Sequence, residues 1–184
     1  MNMKPLKRVL ILTASPRKNG NSTILALKAA EGVKAGGGEA DVVPIGNLKI
    51  APCNACDSCL TKPEAGCVIK DDMQPLYQKI KDAQGIIFAT PVYWFNVSAQ
   101  MKLFIDRAYA IHGKGYYAFT GKDVGVILTY EDEDVFASGG SMHCALSRIY
   151  VLMSKPISWE RSTVAQIRRE MFKPTENYYK KPMI

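Results

Sequence analysis

Two stretches of this 184-residue chain are apolar almost without interruption, Val9-Leu10-Ile11-Leu12 and Gly85-Ile86-Ile87-Phe88-Ala89-Thr90, and helical periodicity follows each. A run with no polar alternation belongs to a strand covered on both faces, and such strands sit in parallel sheets joined by crossover helices. The same alternation continues along the chain. Asp41 to Ile45 predicts a second strand and Val124 to Tyr130 a fourth, with a weak fifth in 156–165. Apolar residues recur at helical spacing in four places. They are Ala26, Ala29, Ala30 and Val33; Met73, Leu76, Tyr77 and Ile80; Met101, Phe104, Ile105 and Ala108; and Met142, Leu146, Ile149 and Met153. Asn21 or Ser22 is expected to cap the first helix, and Gly36-Gly37-Gly38 to end it. Right-handed crossovers leave few arrangements. The economical one is an α/β fold: a doubly wound, five-stranded parallel sheet of order 2-1-3-4-5, with helices on both faces. The expectation is one domain over 1–184, with a cysteine-rich insertion at about 46–71 and an irregular tail at about 166–184.

Composition removes several classes of function. Hydrophobic residues at 47% and charged residues at 22% suit a packed globule rather than a disordered chain. The 24 Lys and Arg against 17 Asp and Glu give a formal charge of +7, which suits an anionic ligand. Apart from Lys173 to Lys181 these charges are scattered, with no aromatic–basic stripe, so no nucleic-acid partner is expected. The longest apolar run is strand-sized, which argues against a membrane partner. Met1 to Arg8 carries no leader pattern, and the expected location is the cytoplasm.

In a sheet of that order, ligands sit beyond the carboxyl ends of strands one and three. After strand one comes Ser15-Pro16-Arg17-Lys18-Asn19-Gly20-Asn21-Ser22-Thr23, leading into a helix N-terminus. Hydroxyls, a guanidinium and open helix amides suit a phosphate, although neither Gly-x-Gly-x-x-Gly nor a Walker loop is present. After strand three comes Pro91-Val92-Tyr93-Trp94-Phe95-Asn96. Three consecutive aromatics in a loop cannot all point into one core; they can wall a planar ring while loop amides bond its polar edge. A phosphate cradle beside a ring-binding loop points to a phosphorylated aromatic cofactor, and FMN fits.

Together with Gln100-Met101-Lys102-x-Phe104-Ile105-Asp106-Arg107, these two loops closely resemble the NADPH-dependent FMN reductase family of flavodoxin-like proteins. The resemblance runs over about 7 to 165. It implies that Ser15, Arg17, Asn21, Ser22 and Thr23, with Asn19 in the same loop, hold the FMN phosphate. Pro91, Val92, Tyr93, Trp94, Phe95 and Asn96 would lie along the isoalloxazine, and Tyr130 would close the pocket. Ala14 and Phe95 stand where many relatives have glycine. NAD(P)H is the implied donor.

Four of the five cysteines fall within 15 residues, as Cys53-x2-Cys56-x2-Cys59-x7-Cys67. Such clustering in an intracellular chain suits a metal or redox site better than a disulfide framework. The set can take an iron–sulfur cluster, tetrahedral zinc, or remain as redox-active thiols. The pattern is similar to the compact motif of iron–sulfur flavoproteins, a branch of the same family. That resemblance implies one [4Fe–4S] cluster exchanging electrons with FMN, in a homodimer or homotetramer. The acceptor would then be a ferredoxin-like protein or a small oxidant; without a cluster it would be free flavin, a quinone or a nitroaromatic. A non-enzymatic flavodoxin-like carrier is the competing class, although typical flavodoxins are acidic. A phospho-receiver domain is excluded, because Thr13-Ala14-Ser15 and Thr90-Pro91 lack its acidic residues.

Other polar residues have plainer readings. Asp71-Asp72 reads as a helix cap, and Asp106-Arg107 as a local ion pair. Cys144 reads as a small buried hydrophobe, and His112 and Glu131 to Asp134 as solvated loop residues.

Overall fold

The computed structural model describes residues 7–111, 119 and 121–131. The helix expected around Met142 to Met153, the fifth strand and the tail lie outside the described residues, as do His112, His143, Cys144 and Asp132 to Asp134. In chain order the elements are β1 (Arg8–Thr13), α1 (Asn21–Ala35), β2 (Glu39–Val43), α2 (Ser58–Thr61), α3 (Gln74–Asp82), β3 (Gly85–Tyr93), β4 (Asn96–Val97), α4 (Ala99–Arg107) and β5 (Asp123–Thr129), with single 3₁₀ turns between some of them.

β1 lies between β2 and β3, and β3 pairs in turn with β5; all three pairings are parallel. One part of the sheet departs from the all-parallel expectation. β4 is two residues long and antiparallel to the end of β3, pairing Val92 with Val97 and Tyr93 with Asn96. The stretch expected to be a loop after Thr90 is therefore a β-hairpin.

Side chains of alternate residues face opposite sides of a strand. Leu10, Leu12, Ile86 and Phe88 accordingly pack on one face of the sheet, with Leu76 and Ile80 of α3 and Met101 and Phe104 of α4. Ile11 and Ala89 pack on the other face, against Ala26 and Ala30 of α1. Small residues on α1 let that helix lie close to the sheet. Each fully buried Leu, Ile or Phe contributes about 1.5–3 kcal/mol, so the unbroken apolar runs account for both layers. At the end of α1, Gly38 N–H bonds Val33 C=O at 2.8 Å and Gly37 N–H bonds Lys34 C=O at 2.9 Å. Gly37 has φ +77°, which completes a Schellman stop. The start of α1 differs from expectation: Gly20 is the N-cap, and no side chain caps the first turn.

Candidate cofactor site

The parallel register brings three chain segments to the carboxyl edge of the sheet. Ala14 N–H bonds Ala89 C=O at 2.8 Å, and Pro91 sits beside Thr129. The Ser15–Thr23 loop, the β3–β4 hairpin and Tyr130 are thereby neighbours. Ser15 is buried, and its hydroxyl closes the turn by accepting from Arg17 N–H at 3.1 Å and donating to Arg17 C=O at 3.2 Å. Two glycines allow this turn. A Cβ on Gly20 would stand 2.3 Å from Ser15 Oγ, and one on Gly46 would stand 2.3 Å from the Ser15 carbonyl oxygen. Gly46 was missed by sequence reasoning, because nothing local shows that the chain after β2 runs against the β1 loop.

Beyond this turn the surface suits an anion. The first amides of α1 have no side-chain cap. Ser22 is 1% exposed, and its Oγ has no hydrogen-bond partner among the described residues. A buried hydroxyl left in that state costs about 1–3 kcal/mol, so it marks a place built for a further partner. Thr23 is half-buried, and Arg17, Asn19 and Asn21 are exposed around it. The donor set fits the phosphate of FMN.

The hairpin is anchored by a buried polar network. Ser98 Oγ donates to Ala14 C=O at 3.0 Å and lies 3.2 Å from Thr90 Oγ1, which accepts from Ser98 N–H at 3.1 Å. Ser98 also caps α4, accepting from Met101 N–H. The ends of β1 and β3 and the start of α4 are held as one unit. At the hairpin tip, Trp94 and Phe95 both have positive φ, +49° and +62°. A two-residue turn of this kind normally takes Asn-Gly, and each bulky residue in that region costs about 1–2 kcal/mol. Trp94 is 91% exposed and Phe95 58%, their rings edge-to-face with centroids 5.8 Å apart. Tyr93 and Asn96 are exposed, while Pro91, Val92 and Tyr130 are half-buried. Exposed aromatics held in strained backbone offer a ligand ready-made apolar surface.

The four cysteines line a single pocket together with Val68, Ile69 and Tyr109. Left-handed residues Ala55 and Asp57 bracket Cys56, and Gly66 at φ +64° precedes Cys67, so the backbone reverses repeatedly along the loop. Among the described residues, no group of three His, Cys, Asp or Glu is spaced to hold a metal ion. Hydrogen bonds from Ser58 hold the exposed Cys56 thiol below its ordinary pKa. Burial, reinforced by Cys67, Cys53 and Cys56, pushes the Cys59 thiol up.

The loop's neck is built by residues with plainer expectations. Arg107, 1% exposed, continues the buried stripe of Met101 and Phe104 on α4. Its partner is Asp71, not the adjacent Asp106, which pairs with Lys102 instead. The helix turns Asp106 outward and Arg107 inward, and a buried guanidinium takes the carboxylate within its reach. Arg107 Nη1 donates to Asp71 Oδ2 at 2.5 Å and to Ala51 C=O at 2.9 Å; Nη2 donates to Asp71 Oδ1 at 3.1 Å and to Ile69 C=O at 3.3 Å. Burial alone would raise the Asp71 pKa, but the Arg107 bond and the amides of Ala51 and Met73 outweigh it and hold the carboxyl below its usual range. Tyr77 donates to Arg107 C=O at 3.2 Å; burial first, then the neighbouring Cys67, keeps it protonated far above the ordinary tyrosine range. The signal in the sequence was a charge on an otherwise apolar helix stripe.

Residues 7–145 match the family model for NADPH-dependent FMN reductase. The chain belongs to that family, in its iron–sulfur flavoprotein branch. An iron–sulfur flavoprotein of Archaeoglobus fulgidus is 33% identical over 175 residues, covering 86% of each chain. One of Methanosarcina thermophila is 41% identical over 105 residues, covering 57% of this chain and 54% of its own. The match thus spans about half the length of the latter relative. Among solved structures, the NAD(P)H:quinone oxidoreductase of Methanothermobacter marburgensis superposes with a TM-score of 0.61 at 19% identity, covering 81% of each chain. That likeness shows the flavodoxin-like α/β fold. The family is one of FMN-dependent reductases with NADPH as donor. No helix among the described residues is long and apolar enough to cross a membrane.

Proposed function

We propose that this protein is a cytoplasmic NAD(P)H-dependent FMN oxidoreductase of iron–sulfur flavoprotein type, a single domain working as a homodimer or homotetramer. The observation that carries the flavin reading is Ser22 Oγ, buried without a partner beneath an uncapped helix start. Ser15, Arg17, Asn19, Asn21, Ser22 and Thr23 hold the FMN phosphate, Ser15 mainly by shaping the turn. Pro91 to Asn96 lie along the ring, and Tyr130 borders it from β5. When bound, FMN would supply the hydride- and electron-transfer chemistry. The protein's part is to orient the ring and exclude water; no side-chain acid or base is assigned.

Cys53, Cys56, Cys59 and Cys67 hold one [4Fe–4S] cluster, which would supply single-electron steps. Convergence of all four on one pocket supports this reading. With a cluster, the acceptor is a redox protein or a small oxidant. Oligomerisation covers the exposed Trp94 and Phe95.

The test is an absorption spectrum of protein purified without oxygen, with iron and sulfide assayed on the same sample and NADH and NADPH oxidation followed. Flavin bands over a broad brown absorbance, with about four irons per chain, are expected. Flavin alone after anaerobic reconstitution would make the protein a plain FMN or quinone reductase. Bound FMN without nicotinamide oxidation would make it a carrier, and no pigment after added FMN would refute the site.

A further inference from the structure

The loop from Ala51 to Ile69 carries all four site cysteines on little regular structure, only the single turn of α2 and one 3₁₀ turn. Its order must come from its ends. At the base, Asp71 Oδ2 accepts from Ala51 N–H at 2.9 Å and Asp72 Oδ2 from Lys49 N–H at 2.7 Å. Gln74 Nε2 donates to Cys67 C=O at 3.0 Å and to Ile69 C=O at 2.5 Å. Among the described residues, only the Arg107 side chain donates to both ends, to Ala51 C=O on one side and Ile69 C=O on the other, with Asp71 between them. A planar fork serves these four acceptor atoms from two nitrogens in fixed geometry, whereas an ammonium has three donors on a single nitrogen. Arg107 Nε is buried with no partner among the described residues, so this is not the arrangement that packing alone favours.

We propose that Arg107 is the positioning residue of the cysteine site, fastening both ends of the 51–69 loop so that the four sulfurs are held around one pocket before anything binds there. The same helix begins at the Ser98 cap, on the aromatic hairpin, and ends at this neck. One rigid element of about 14 Å, from 1.5 Å per residue over nine residues, therefore links the two loops. What the sulfurs hold rests on the cluster reading above; the fastening does not.

The test compares wild type, Arg107→Lys and Tyr77→Phe as full-length, FMN-loaded protein, first without iron and then after anaerobic reconstitution with iron and sulfide. In Arg107→Lys, amide hydrogen exchange over 51–69 is expected to rise about tenfold or more, with β1 and β3 unchanged, FMN affinity retained and most bound iron lost. Tyr77→Phe removes only the hydroxyl that donates to Arg107 C=O. It is expected to keep its iron and to raise loop exchange less. Should Arg107→Lys fail to fold, exchange in Tyr77→Phe decides. Wild-type exchange over 51–69 in the variants, or a rise spread evenly over the chain, overturns the proposal. A wild type that takes up no iron refutes the cluster, while the exchange comparison still decides the role of Arg107.

Discussion

Replacing Ser22 by alanine should make the FMN-free protein more stable and its FMN affinity weaker, a pair of effects that ordinary packing does not produce. The hydroxyl is buried and unpartnered among the described residues, and a state of that kind costs about 1–3 kcal/mol. Taking the low end, since the methyl left behind fills most of the same space, removal returns about 1 kcal/mol. For a chain of this length that raises Tm by about 2–4 °C. With FMN present the sign reverses. A hydroxyl bonded to a charged phosphate contributes about 1.5–3 kcal/mol, so its loss weakens binding by about tenfold to a hundredfold. Differential scanning calorimetry on flavin-stripped protein reads the first effect, and quenching of FMN fluorescence on titration reads the second. A higher Tm with unchanged affinity would make Ser22 a packing defect that touches no ligand. A lower Tm in the FMN-free protein would show that the hydroxyl already has a partner, and the argument for a phosphate cradle would lose its main support.

Gly46→Ala must displace the Ser15 carbonyl, because the new Cβ at 2.3 Å falls well inside the 3.0 Å that real Cβ contacts respect. A loss of about 1–3 kcal/mol and weaker FMN binding are expected from thermal melts and titration. Gly32→Ala is the control with opposite sign: nothing lies within 4 Å, the site is inside α1, and a gain of about 0.5–1 kcal/mol should appear in the same melts. Arg17→Ala should reduce FMN retention after gel filtration without changing the circular dichroism spectrum; unchanged flavin affinity would remove Arg17 from the phosphate site. Asp71 is depressed in the folded state, so its contribution is complete above its unfolded value of about 3.9 and is lost as the pH falls through its lower folded value. Asp71→Asn should therefore lower stability at neutral pH by about 3–5 kcal/mol and flatten the acid limb of a Tm-against-pH series. An acid limb as steep as that of wild type would refute the assignment.

What was legible in the sequence follows from how far each signal reaches along the chain. Val9 to Leu12 and Ile86 to Ala89 reveal strands because burial on both faces removes every polar residue, and their covering helices show themselves by local spacing. The Ser15–Thr23 loop was readable for the same reason: strand, polar turn and helix start are contiguous. The hairpin was not, since its central Trp94-Phe95 are neither the asparagine nor the glycine that such a turn normally takes. Its geometry is imposed from outside, by Ser98 and Thr90 holding one end to Ala14. Arg107 lay between these extremes. Its charge on the stripe of Met101 and Phe104 announced a buried partner, but nothing near it in sequence distinguishes Asp106, one residue away, from Asp71, 36 residues away. Helix phase decides between them, sending Asp106 toward Lys102 in solvent and Arg107 toward the core. A charge placed on an apolar face therefore marks the existence of a long-range contact more reliably than its identity. In this chain that contact joins the helix leaving the aromatic hairpin to the loop that carries the cysteines.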